Sequence, residues 1–374
     1  MKRKTGWISL GCALILIVAA GIGGFFLGKN RESGHFMAEK EFMIRLNRSE
    51  LEGLGDISKR IYVTGHKSPD SDTVGSSIGY AALLRALGYD AAAVLLGPVN
   101  RESAIILETA GLEMPEILPD AAGRTMVLVD HSEYAQSADG LEDAKIIGII
   151  DHHGDGSVLT ANPLIYDARP LGSTAAIVWM KYLDYGMEPD QQTAIMMLGS
   201  VLSDTSNLRS ASTTFADREA VRALSALSGI SDTDAFYREM YRESLSYEGN
   251  TDEEIYLSDY KEYDIGGFKV SVGSVNAYDE AAAKELAERM KKIMPQMKLS
   301  AGMDLSFAMV SIKRDDLSAT WLVPAEEEEE AVLAAASWGQ ADVDGTSYII
   351  RPSMSRKADF IPGITEVLNS AWKE

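Results

Sequence analysis

The stretch Ile61-Tyr62-Val63-Thr64-Gly65-His66-Lys67-Ser68-Pro69-Asp70-Ser71-Asp72 decides how this chain folds. Its first residues are β-branched or aromatic and predict a buried strand. Gly65 ends the strand. The loop beyond it carries an imidazole and two carboxylates, His66, Asp70 and Asp72, within seven residues. Thr73-Val74-Gly75 then opens a helical pattern, with apolar residues at Ile78, Ala82, Leu83 and Leu87. Open α/β sheets place their ligand sites on such loops. Three hard or borderline donors this close suit a metal such as Mn²⁺ or Mg²⁺. A solvated loop that happens to hold Asp and His is the plain alternative.

The pattern repeats downstream. Asp90–Gly97 reads as a strand and Arg101–Ala110 as a helix; Thr125–Asp130 and Ile146–Asp151 are further apolar strands. Continuous apolar strands alternating with helices predict a parallel sheet covered on both faces. Three of these strands end in His or Asp: His66, Asp130-His131 and Asp151-His152-His153. Four of the five histidines therefore fall at strand ends, which a set of core histidines does not explain. An apolar helix, Ala194–Leu202, brings Asp204 toward the same edge. Two residues have structural alternatives: Asp204 could cap the next segment, and Asp151 could orient a neighbouring imidazole rather than bind metal.

Composition narrows the function. The chain has 374 residues, enough for two domains, and 46% are apolar. A formal charge of −21 argues against nucleic acid as a partner. It does not exclude phosphate substrates, because cations can mask carboxylates. The one cysteine, Cys12, rules out a disulfide framework and a thiolate metal site. Lys2, Arg3 and Lys4 precede an uncharged run, Trp7–Leu27, of bilayer length. It predicts a single-pass N-terminal membrane anchor, a cleaved signal peptide being the rival. Charges on its two sides nearly balance, so the side faced by the rest of the chain is left open.

Taken together, Gly65–Asp72, Val129-Asp130-His131-Ser132-Glu133 and Asp151-His152-His153 resemble the motifs of DHH-superfamily phosphoesterases. In detail they are most similar to the family II, manganese-dependent inorganic pyrophosphatases. Thr160–Leu164, Leu171-Gly172-Ser173-Thr174 and Ser203-Asp204-Thr205 continue the likeness in order. So do Asp259–Tyr263, Gly273–Asn276 and Ser355-Arg356-Lys357. The resemblance implies an α/β fold, a parallel-sheet DHH domain followed by a smaller α+β domain of DHHA2 type. With the anchor, the expected order is membrane segment 1–30, spacer 31–60, DHH domain 61–245, linker 246–255 and DHHA2-type domain 256–374. It further implies one Mn²⁺ held by His66, Asp70 and Asp130, and a second held by Asp72, Asp130, His152 and Asp204. His153, Lys261, Arg356 and Lys357 would contact inorganic diphosphate, and an Mg²⁺ would arrive with it. Co²⁺ or Mg²⁺ are the expected substitutes for Mn²⁺, and a second copy of the chain is the expected partner. Ser132, Gly154 and Ala358 depart from the family pattern without removing a ligand.

In the second domain, Phe268–Gly273, Ser306–Ile312 and Thr320–Val323 read as strands and Glu280–Lys292 as a helix. Glu326–Glu330 reads as a solvated helix start. Two rival functions remain. One is another phosphoesterase, acting on polyphosphate, oligonucleotides or cyclic dinucleotides. The other is a membrane-tethered phosphate-binding protein with weak catalysis.

Overall fold

The computed structural model describes residues 37–370, apart from 155, 315, 337 and 339–341. The chain divides between Tyr237 and Arg238 into two compact units.

The first unit holds a six-stranded sheet in the order β3-β2-β1-β4-β5-β6. Its strands are β1 Ile61–Thr64, β2 Ala91–Leu95, β3 Glu116–Ile117, β4 Thr125–Val129, β5 Lys145–Asp151 and β6 Ile165–Ala168. Every pairing is parallel. All carboxyl ends therefore lie on one edge, which is where the loops bearing His and Asp emerge. Met126, Leu128, Ile146 and Ile149 pack in one cluster with Val94, Leu118 and Leu141.

Helix α1 covers residues 37–52. It is docked on its own unit, since Asn47 Nδ2 donates to Asp184 O (2.9 Å) and Arg48 donates to Tyr185 O (3.2 Å). The helices that follow are α2 Ser71–Ala86, α3 Arg101–Ala110, α4 Thr174–Asp184, α5 Gln191–Asp204, α6 Phe215–Ser228 and α7 Thr233–Ser244. Helix α2 is buried along its first eleven residues, polar ones included. Small residues make that tolerable. A Cβ on Gly75 would meet Ser200 Oγ and stand 2.9 Å from Met196 O, so α2 and α5 approach nearly backbone to backbone.

The second unit contains α8 Asp252–Leu257, β7 Tyr260–Ile265, β8 Phe268–Asn276, α9 Glu280–Ala301, β9 Leu305–Lys313 and β10 Ser318–Pro324. It closes with α10 Glu327–Ala335, β11 Asp342–Asp344, β12 Ser347–Ile350 and α11 Ile361–Ser370. Its sheet runs β11-β12-β10-β9-β8-β7, with only β8 and β9 parallel. Alternation along β9 shows why both faces are covered. Phe307 and Met309 join one core cluster with Phe360 and Leu368, while Ala308, Val310 and Ile312 join the other with Met290 and Met294.

Two expectations need correction. The expected membrane-anchored localisation does not stand: no helix among the described residues is long and apolar enough to cross a membrane. Helix α9, with 22 residues, has the length but is studded with charge, from Lys284 and Glu285 to Lys291 and Lys292. The Trp7–Leu27 run lies outside the described residues. Second, Glu326–Glu330 is not wholly solvated. Glu329 is fully buried, accepting from Ser306 N (2.9 Å) and Glu326 N (3.0 Å) and pairing with Lys298 at 2.8 Å.

Candidate metal centre

Five elements deliver side chains to the carboxyl edge of the parallel sheet. The loop after β1 carries His66 and Asp70, and Asp72 opens α2. Asp130 follows β4, His152 and His153 follow β5, and Asp204 ends α5. His66 Nε2 lies 3.6 Å from Asp70 Oδ2 and 3.5 Å from Asp130 Oδ2. His152 Nε2 lies 3.5 Å from Asp130 Oδ1 and 3.4 Å from Asp204 Oδ2. These separations are too long for good hydrogen bonds. They suit donors that share an ion. One donor from each of His66, Asp70 and Asp130 lies within 4.8 Å of the others, and so do donors of Asp72, Asp130, His152 and Asp204. Asp130 belongs to both groups, one oxygen toward each.

The imidazoles are prepared for metal. His66 Nδ1 sits 2.8 Å from Lys67 O, and His152 Nδ1 sits 3.2 Å from Leu171 O. A carbonyl can only accept, so each Nδ1 carries a proton and each Nε2 is the nitrogen that faces the carboxylates, free to ligate a metal that displaces any proton there. His152 Nε2 is buried and has no hydrogen-bond partner. An orphaned buried nitrogen facing two carboxylates fits a cation.

The carboxylates are held by a surrounding set of donors. Asp72 is fully buried at the start of α4, accepting from Thr174 N (2.6 Å), Ala175 N (3.0 Å) and Ser173 Oγ (3.2 Å). That helix end is a natural anion cradle. Asp130 accepts from Thr73 Oγ1 (2.8 Å) and Thr174 Oγ1 (3.1 Å). Asp70 divides its oxygens: Oδ1 caps α2 through Thr73 N (2.9 Å), and Oδ2 faces His66. Asp204 occupies the last turn of α5, where the helix dipole disfavours an anion.

Crowding shows in the proton affinities. Burial, then the Asp204 and Asp130 charges, push the Asp72 carboxyl well above its usual range. Burial and the charges of Asp130 and Asp70 raise Asp204 to about 8. Burial opposes a charged His66, but the facing Asp130 and Asp70 carboxylates outweigh it and raise the ring to about 11. The cluster thus demands positive charge, as protons or as metal.

The same chain matches known proteins along most of its length. Residues 60–201 match the DHH family, N-terminal domain, and residues 238–367 match the DHHA2 domain. A probable manganese-dependent inorganic pyrophosphatase of Exiguobacterium sp. is 33% identical over 310 residues, 82% of this chain and 98% of the relative. The manganese-dependent inorganic pyrophosphatase of Methanocaldococcus jannaschii is 32% identical over 82% of this chain and 99% of its own length. This chain belongs to the manganese-dependent inorganic pyrophosphatase family. A crystal structure from Methanococcus jannaschii, assigned to the family II inorganic pyrophosphatases, superposes with a TM-score of 0.51 at 31% identity. It covers 83% of this chain and 99% of that one.

Within this pyrophosphatase-family framework, the six expected ligand residues lie together on one unit. His153 is beside them, its Nδ1 3.8 Å from Asp130 Oδ1 and grouped with Asp130 and His152 donors, but that nitrogen and the backbone N both reach Asp151 Oδ1 more closely, at 2.9 and 3.0 Å. Its bond to Asp151, outweighing burial, raises the ring to about 9. Asp151 therefore orients an imidazole. His131, counted with the other strand-end histidines, is not with them. Its nitrogens meet Val129 O and Ser137 Oγ, both at 2.9 Å, in a buried pocket. Lys261, Arg356 and Lys357 belong to the second unit. The first lies on β7, and the other two on a wide turn, Arg356–Phe360, capped by Ser355. Arg356 donates to Asp259 O (2.6 Å), Asp259 Oδ1 (2.7 Å) and Val272 O (3.3 Å).

Sequence reasoning passed over the hydroxyls that steady the acids: Thr73, Ser173 and Thr174. Gly172-Ser173-Thr174 ahead of an apolar run is a helix-start signal that could have placed an anion there.

Proposed function

We propose that this chain hydrolyses inorganic diphosphate to two phosphates with Mn²⁺. His66, Asp70 and Asp130 hold one ion, and Asp72, Asp130, His152 and Asp204 hold the other. The observation that carries this reading is Asp130, whose two oxygens face two separate histidine-containing donor groups. When bound, paired divalent ions act as Lewis acids that bring a water's pKa toward neutrality and offset charge on phosphate oxygens.

The chain's own residues do the rest. Asp70, Asp72 and Asp130 keep their positions through fixed backbone and hydroxyl donors, so the cage needs little reorganisation. Asp151 fixes His153 by Nδ1, which leaves the opposite edge of a raised-pKa ring to an anion. Lys261 and Lys357 are exposed compact charges suited to phosphate. Arg356 uses three of its five N–H donors on Asp259 and Val272, and its planar fork retains others for a phosphate oxygen. Phosphate release from diphosphate, long polyphosphate and a dinucleotide, each with Mn²⁺ or Co²⁺, tests the reading. Turnover of diphosphate well above the others is expected. Preferential turnover of polyphosphate or dinucleotide, or binding without turnover, contradicts it. Arg356→Ala should raise KM or lower kcat and leave metal content unchanged.

A further inference from the structure

One carboxylate outside the cage joins the two helix ends that carry half of its second donor group. Ser71 stands immediately before Asp72, and Ser203 immediately before Asp204. The two serines lie on different helices, at the start of α2 and the end of α5. Glu102 Oε2 accepts from both hydroxyls, Ser71 Oγ at 3.0 Å and Ser203 Oγ at 2.8 Å. Ser103 Oγ lies 3.2 Å from Ser71 Oγ and extends the chain of hydroxyls. We propose that Glu102 is a positioning residue that clasps the ends of α2 and α5 and so sets the spacing of Asp72 and Asp204 around a divalent cation.

The physics favours a clasp at this point. Asp72 and Asp204 are carboxylates on separate helices, and when both are ionised without a cation between them they repel. Each is a single residue from a hydroxyl held by the same oxygen, so a shift of either helix end must break a charge-assisted bond. Ser200 Oγ adds a second tie, donating to Ser71 O at 2.7 Å. Glu102 occupies the first turn of α3, where the helix dipole favours a carboxylate. Its role as an ordinary helix-start acid would need neither serine.

This rests on the metal-centre reading, so the test includes a variant of the cage itself. Mn²⁺ titration calorimetry on metal-stripped full-length chain compares wild type, Glu102→Ala, Glu102→Gln, Ser203→Ala, the Glu102→Ala/Ser203→Ala pair, and Asp130→Ala. Glu102→Ala is expected to weaken Mn²⁺ by about 10- to 100-fold, the usual effect of losing a residue that orients a ligand. Metal-free melting should stay close to wild type. Glu102→Gln keeps an acceptor oxygen and should recover most of the affinity. Ser203→Ala should weaken Mn²⁺ alone but add little once Glu102 is gone. Wild-type affinity in Glu102→Ala, or effects of the two changes that simply add, overturns the clasp while loss of binding in Asp130→Ala leaves the metal centre standing. Unchanged binding in Asp130→Ala removes both.

Discussion

Asp130 holds a left-handed backbone, φ 62°, that a non-glycine residue seldom adopts. The bend comes as β4 ends, with Asp130 N still bonded to Ile150 O at 2.9 Å. It aims the two carboxylate oxygens at different histidines. Asp130→Ala should therefore empty both metal positions and lower kcat/KM by about 10³-fold or more, several kcal/mol of transition-state stabilisation. Metal analysis of the dialysed variant beside an activity assay checks this. A pH effect follows at the same scale. Near neutral pH the metal-free site keeps protons on His66 and Asp204, and the Asp72 carboxyl is also raised. Metal must displace them, so Mn²⁺ affinity should rise with pH through about 8, up to about tenfold per pH unit for each proton released. Calorimetry in buffers of different ionisation enthalpy counts those protons. Affinity that is flat between pH 6 and 8.5 contradicts it. The proposed ligand residues could be picked out because most of them follow the ends of apolar strands. Their supporting partners could not. Glu102 looks like any first-turn acid, and only the folded chain brings Ser71 and Ser203, 132 positions apart in sequence, onto one oxygen.

At the scale of elements, α2 carries the greatest constraint. It is capped by Asp70, delivers Asp72 and runs against α5 with almost no space at Gly75. Gly75→Ala should force the helices apart and cost about 1–3 kcal/mol, typical of overpacking. Thermal melts of the metal-free chain measure that cost, and Mn²⁺ affinity should fall with it because Asp72 lies on the displaced turn. In the second unit the start of α10 rests on the buried pair Glu329–Lys298. Glu329→Ala leaves the buried Ser306 amide without its acceptor, while Lys298 keeps Glu326 at 3.0 Å, and should destabilise by about 1–3 kcal/mol, read as a lower melting temperature. Catalytic metal content should not change. Most strands could be read from sequence because apolar runs such as Ile146–Ile150 leave no other choice. β3 and β6 could not. The first has only two residues, both exposed, and the second carries Asp167, which pairs with Arg169 just past the strand and with Lys181 (2.8 Å) on α4. Helix α2 also starts at Ser71, two residues before the apolar pattern announces it, because Asp70 caps it there.

For the whole molecule, the charge of −21 and a phosphate substrate are compatible only through cations. The acids proposed to hold metal lie on the first unit, and the cations proposed to meet phosphate, Lys261, Arg356 and Lys357, lie on the second. The N-terminal apolar run lies outside the described residues, and no helix among those described is long and apolar enough to cross a membrane. The family assignment, by contrast, rests on ordered motifs spread over both units. The most direct test is metal content and diphosphate hydrolysis measured together on the full-length chain, stripped of metal and then titrated with Mn²⁺. Two Mn²⁺ bound per chain, with phosphate release absent before titration and restored as the second ion binds, is the predicted result. Undiminished hydrolysis in the stripped protein, or saturation without any hydrolysis, would contradict it.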